Sequence, residues 1–128
     1  MILDSSAILA VLFREKGLPR IVEAIVSAPF LAIGAPTLVE TGMVAVGSFD
    51  LRGRALVSRF LEEHGVEVIP FGEQHWRTAA EAYVRYGKGR HPARLNLGDC
   101  MTYATAKVAG APLLFTGDDF ARTDVAIA

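Results

Sequence analysis

Four short apolar runs punctuate this chain: Met1–Asp4, Phe30–Ile33, Val66–Ile69 and Pro112–Phe115. They are too brief for helices, and their apolar residues are continuous rather than alternating. A continuous run predicts a strand buried on both faces, so the sheet it joins must be covered on both sides. The intervening segments supply that cover. Ser5–Arg14 places Ile8, Leu9, Leu12 and Phe13 at helical spacing, and Leu18–Ala28 does the same with Ile21, Val22, Ile25 and Val26. Further helices are expected over Pro36–Val46, Asp50–His64, Glu73–Tyr86 and Leu97–Ala109. Pro36 marks an entry, Asp50 an N-cap, and Gly65, Gly87 and Gly110 mark stops. Val125–Ile127 reads as a fifth strand. Strands alternating with helices predict an α/β fold with a parallel sheet, and 128 residues suffice for a single domain, 1–128.

The charge balance narrows the function. Thirteen Lys/Arg against fourteen Asp/Glu exclude a protein that holds nucleic acid by bulk positive charge, but not one with a local basic patch. One cysteine, Cys100, excludes an internal disulfide framework and a Cys-rich zinc site. No basic segment precedes an apolar stretch at Met1-Ile2-Leu3-Asp4, and the run Leu31–Val39 is interrupted by Gly34 and Pro36. A cytoplasmic protein with no membrane partner is therefore expected.

In a parallel sheet, ligands bind at the carboxyl ends of the strands. Asp4 closes the first run, and Asp118 and Asp119 follow the fourth. Glu40 lies early in the helix after the second run, and Asp99 opens the helix before the fourth. Singly, each has an ordinary use. Asp4 can cap a helix, Thr37-Leu38-Val39-Glu40 and Asn96-Leu97-Gly98-Asp99 read as capping boxes, and Asp118-Asp119 suits a turn. Together they would repel unless neutralised, and oxygen-only donors select Mg²⁺ or Mn²⁺. Such an ion suits phosphodiester hydrolysis by an activated water.

These residues carry a family resemblance. Ile2-Leu3-Asp4-Ser5-Ser6-Ala7 resembles the opening of a PIN domain, and Glu40, Gly98-Asp99-Cys100 and Thr116-Gly117-Asp118-Asp119-Phe120 match its later acids. The stretch from Tyr86 to Cys100, with Lys88, Arg90, His91, Pro92 and Arg94, is similar to the VapC ribonuclease toxins. The resemblance implies a three-layer α/β/α sandwich around a short, mainly parallel sheet. It implies an Mg²⁺- or Mn²⁺-dependent endoribonuclease, partnered by a VapB-type antitoxin and forming a homodimer. On that resemblance Asp4 and Asp99 are the direct metal ligands, and Glu40 orients or deprotonates the attacking water. Either Asp118 or Asp119 is the fourth acid. Ser6 and Thr116 hold waters or a carboxylate. The same acids could serve a nuclease with another nucleic-acid substrate. A silent binding module, whose acids only cap helices, is the reading from a different class.

Arg85, Lys88, Arg90, His91 and Arg94 surround a Gly/Pro loop just before Asp99, and they are expected to contact RNA phosphates. Tyr86 suits either base stacking or packing. His64, His75 and His91 lack zinc-site spacing, and Cys100 reads as a buried thiol. Trp76 and Tyr83, at i and i+7, share a helix face that is expected to be core. Leu12, Phe13, Ile21, Val22 and Ile25 exceed what a small sheet can bury, which leaves apolar surface for a partner.

Overall fold

Each apolar run forms a strand of two or three residues: β1 (Ile2–Leu3), β2 (Ala32–Gly34), β3 (Glu67–Ile69) and β4 (Leu113–Leu114). The computed structural model describes all residues, Met1–Ala128. The strands hydrogen-bond in the order β3-β2-β1-β4, and every pair is parallel. Ile2 stands opposite both Ala32 and Leu113, and Ile33 opposite Val68. The helices are α1 (Ser5–Leu12), α2 (Leu18–Ser27), α3 (Ala35–Phe49), α4 (Leu51–His64), α5 (Glu73–Tyr86) and α6 (Leu97–Ala109), with a 3₁₀ turn at Phe120–Arg122.

Successive strand residues point to opposite faces, and the chain uses this to build two cores. Ile2, Ala32 and Leu113 enter one, with Ala82 and Tyr86 of α5 and Cys100, Tyr103 and Ala106 of α6. Their neighbours Leu3, Ile33 and Leu114 enter the other, with Ala7 and Ile8 of α1, Ile21 and Ile25 of α2, and Phe60 of α4. This is the expected three-layer α/β/α sandwich. The ladders are too short to hold the sheet by hydrogen bonds alone. Ile2, Leu3, Ile33, Leu113 and Leu114 are each completely buried, and burial stabilises by about 1.5–3 kcal/mol per side chain of this kind.

Three details differ from the sequence reading. Val125–Ile127 is not a strand; a single parallel bridge joins Leu113 to Ile127, and Val125 instead fills the core beside Phe120. The α3 helix begins at Ala35, with Gly34 as its N-cap and Pro36 in its first turn. Thr37 is therefore inside the helix, and its hydroxyl pairs with Thr102 Oγ1 at 2.8 Å, so no capping box forms with Glu40. Asp50 does sit between α3 and α4, but its backbone has φ 52° and its side chain makes no cap bond. The α4 helix turns off at once against α3, where Gly53 is essential: a Cβ there would strike the Ala45 carbonyl.

Candidate functional site

Because the strands are parallel, their carboxyl ends share one edge of the sheet. Asp4 leaves β1 at that edge, and its N–H donates to the Leu114 carbonyl at 3.0 Å. Its carboxylate caps α1 by accepting from Ser6 N at 3.1 Å and from Ser6 Oγ at 2.6 Å. Ser6 Oγ in turn accepts from Thr116 N at 3.0 Å. One hydroxyl thus fixes Asp4 and the loop leaving β4 together.

Glu40 stays free of its own helix terminus. Oε1 accepts from Ser5 Oγ at 2.7 Å, and Oε2 lies so close to Gly98 that a Cβ there would collide with it. The bare Gly98 backbone is what lets α3 and α6 bring Glu40 and Asp99 to one place. Asp99 is held by the expected reciprocal box: Asn96 N donates to Asp99 Oδ2 at 3.0 Å, and Asp99 N donates to Asn96 Oδ1 at 2.9 Å.

The electrostatics show that these acids feel each other. Burial raises the Asp4 pKa; the Ser6 and Thr102 hydroxyls oppose this, and Glu40 adds to it. Burial raises Asp99 to about 6, and the charges of Asp119, Asp4 and Glu40 push in the same direction. Of the acids in the turn after β4, Asp119 contributes to the raising of Asp99. None of the molecule's ion pairs involves Asp4, Glu40, Asp99 or Asp119. Like charges set around a buried Asp4 without a counter-charge are a costly arrangement, and a bound cation relieves it. Every donor is a hard oxygen, which fits Mg²⁺ or Mn²⁺. No group of three or more His, Cys, Asp or Glu side chains is placed to hold a metal ion. A pair of carboxylates with an open side is the arrangement Mg²⁺ takes when it retains waters.

A family model, PIN domain, matches residues 1–126. The chain belongs to the PIN-domain family. Ribonuclease VapC42 of Mycobacterium tuberculosis is 43% identical to it over 126 residues, covering 98% of this chain and 96% of that protein. The structure of VapC20 from the same organism, described as a sarcin–ricin loop cleaving toxin, superposes with a TM-score of 0.80 at 15% identity, over 99% of this chain and 97% of that one. A toxin–antitoxin complex from Klebsiella pneumoniae gives a TM-score of 0.71 at 21% identity, over 99% and 95%.

Within this PIN domain the other predicted residues divide. Lys88, Arg90 and Arg94 are exposed, and with Gly89, His91 and Pro92 they line one open crevice. The crevice is well formed, because Lys88 N donates to Leu95 O at 3.0 Å and Leu95 N to Tyr86 O at 2.9 Å. His91 is used internally: Nδ1 accepts from Ala93 N, and its ring meets Tyr86 edge-on. Arg85 does not join the crevice. It donates to Tyr86 Oη at 2.9 Å and stands 3.8 Å from Asp124, which Tyr103 and Lys107 also hold. Tyr86 is buried in the core, which settles it as a packing residue. Thr116 contributes its backbone N–H. Cys100 is buried and its thiol is pushed up to about 11, first by burial and then by Asp99, so it is a poor nucleophile. Trp76 and Tyr83 are not core; both are exposed. Of the apolar residues on α1 and α2, Ile21 and Ile25 are buried, while Val22 and Val26 face outward.

The sequence reading missed Ser5, Gly98 and Thr102. Ser5 follows Asp4 directly, but only the fold shows that it turns to Glu40. Gly98 left a usable signal, since a glycine in the first turn of a helix gives up helix propensity and needs a steric reason.

Proposed function

We propose that this protein is a VapC-type, metal-dependent endoribonuclease, the toxin of a toxin–antitoxin pair. One observation carries the reading. Asp4, Glu40, Asp99 and Asp119, distant in sequence, gather at the carboxyl edge of the sheet with no positive side chain paired to any of them. The relatedness to VapC ribonucleases over nearly the whole chain supports the same activity.

In this reading Asp4 and Asp99 hold the Mg²⁺ or Mn²⁺ ion. Such an ion, when bound there, would supply Lewis acidity that makes water a better nucleophile and offsets charge on the phosphate. Glu40, steadied by Ser5, orients the attacking water and accepts its proton. Ser6 holds Asp4 in place, and Asp119 completes the acidic rim in preference to Asp118. Lys88, Arg90 and Arg94 contact RNA phosphates. Arg85 is assigned instead to the Asp124 cluster. A VapB-type antitoxin covers the site, and the protein acts as a homodimer. No helix is long and apolar enough to cross a membrane, which accords with action in the cytoplasm.

The test is cleavage of RNA by the purified protein with Mg²⁺ or Mn²⁺. EDTA is expected to stop it, and Asp4→Asn to remove both cleavage and calorimetric Mn²⁺ binding. Cleavage at the wild-type rate in Asp4→Asn would refute the ligand assignment. Lack of both cleavage and Mn²⁺ binding in the wild type would favour a silent module.

The basic crevice gives a separate expectation. A double change, Lys88→Ala with Arg90→Ala, should weaken RNA binding and lower the slope of log K against log salt by about 1.4, roughly 0.7 for each lost charge on a single strand. Mn²⁺ affinity should be unchanged. An unaltered salt slope would place the RNA elsewhere.

A further inference from the structure

Arg20 stands in the first turn of α2, where the helix dipole favours an anion and disfavours a cation. It enters none of the molecule's ion pairs. The helix gains nothing from it there, and its bonds lead elsewhere. Nη2 donates to the Phe115 carbonyl at 2.9 Å, 95 residues along the chain, and Nη1 lies 3.5 Å from Ala128 O. Phe115 is buried and directly follows β4, whose last carbonyl, Leu114 O, is taken by Asp4 N. Arg20 supplies the hydrogen bond that the next carbonyl needs.

That carbonyl and the Thr116 N–H belong to one planar peptide unit, so they turn together. Thr116 N donates to Ser6 Oγ at 3.0 Å, and Ser6 Oγ donates to Asp4 Oδ2 at 2.6 Å. Every donor points the same way, from the guanidinium through the peptide and the hydroxyl to the carboxylate. Bonds aligned like this polarise one another. The Ser6 hydroxyl has a single proton, and with its oxygen accepting from Thr116 that proton goes to Asp4. Ser6 N also donates to Oδ2 at 3.1 Å, so this oxygen is committed to the protein and Oδ1 is left to face a cation. We propose that Arg20 is a positioning residue for the acidic site: from α2 it orients the peptide between Phe115 and Thr116, and through Ser6 it fixes the attitude in which Asp4 takes a divalent ion. This rests on the nuclease reading above and extends its machinery to a helix that carries none of the site's acids.

Two measurements on the full-length protein test this: Mn²⁺ binding by calorimetry, and hydrogen exchange of the Thr116 amide by NMR in the metal-free state. Arg20→Met keeps the aliphatic stem and should melt close to the wild type, because Arg20 is exposed. Removing a cation linked to the site would, by Coulomb attraction alone, tighten Mn²⁺ binding. Loss of positioning does the opposite. The affinity should fall about 10-fold, the lower end for a group that orients a metal ligand. Thr116 exchange should quicken about 5-fold or more, the size of one lost hydrogen bond. In a Ser6→Ala background the same change should cost no further Mn²⁺ affinity, since the chain of bonds is already cut. Mn²⁺ binding in Arg20→Met as tight as wild type or tighter overturns the role, and so does a full second loss on top of Ser6→Ala. A wild-type protein that neither binds Mn²⁺ nor cleaves RNA refutes the nuclease reading. Thr116 exchange in the metal-free protein is independent of that reading, and unchanged exchange in Arg20→Met overturns the Arg20 chain whatever the protein cleaves.

Discussion

Asp99→Asn will reduce RNA cleavage by about 10³-fold or more, the scale of the several kcal/mol that a metal supplies to a phosphoryl transition state, and it will make the metal-free protein more stable at pH 7. The second effect separates this variant from one that simply unfolds. In the folded chain Asp99 ionises at about 6 instead of 3.8, because it is partly buried and lies among Asp119, Asp4 and Glu40. Well below pH 3.8 the carboxyl is neutral in both folded and unfolded chains, and its removal changes nothing. As the pH rises toward 6, the unfolded chain ionises first, so the folded state loses ground; above 6 the loss is complete. Asparagine never ionises and escapes it. Discounted for partial exposure, the gain is about 1 kcal/mol, or roughly 3–6 °C in Tm for a domain of this size. Melting curves from about pH 3 to pH 8 should show the two proteins together at the acid end and apart at neutral pH. Added Mn²⁺ should raise the wild-type Tm and leave the variant unmoved. A variant that is less stable than wild type at pH 7 in EDTA would contradict this account of the site.

Gly98→Ala should lower cleavage by about 10²-fold with little change in stability. Two effects compete. Replacing a helical glycine normally stabilises by up to about 1 kcal/mol. Here the new methyl collides with Glu40 Oε2. Glu40 is largely exposed and can swing away, so the fold tolerates the change. The swing breaks the Ser5 hydrogen bond and misplaces the group that orients water, a displacement on the scale that costs two orders of magnitude in rate. Ser5→Ala, which frees Glu40 without a collision, should give a smaller loss. If Gly98→Ala cleaves as fast as the wild type, Glu40 has no part in the reaction.

The layers of the fold were legible because continuous apolar runs have one economical use, a strand covered on both faces. The place of Asp4 was legible for a related reason: it sits at a strand-to-helix corner, whereas Asp99 opens α6 from the loop after α5 and was legible through its capping box with Asn96. Glu40 was expected beside these acids, but its bonding was not legible. Thr37-x-x-Glu40 satisfies the capping-box pattern, yet Pro36 in the first turn starts the helix earlier and takes Thr37 inside it. Trp76 and Tyr83 show the limit of periodicity. A spacing of seven says that two residues share a face; which face meets the core depends on α6, which packs against Ala79, Ala82 and Tyr86 instead. Asp118 and Asp119 could not be separated by counting. Asp119 lies at the entry of the 3₁₀ turn, and its charge adds to the raising of Asp99.

The strand order has a consequence for how the chain comes off the ribosome. β1 is synthesised well before its second neighbour, β4, which is formed by Leu113 and Leu114, and Asp4 N is anchored on Leu114. Until those residues emerge, Ile2 and Leu3 lack half their pairing, and Asp4 stands apart from Asp99 and Asp119. Contacts that span so much of a chain form late in folding. A polypeptide that stops short of β4 therefore carries no assembled acidic centre, and hydrolytic activity waits for Leu113 and Leu114.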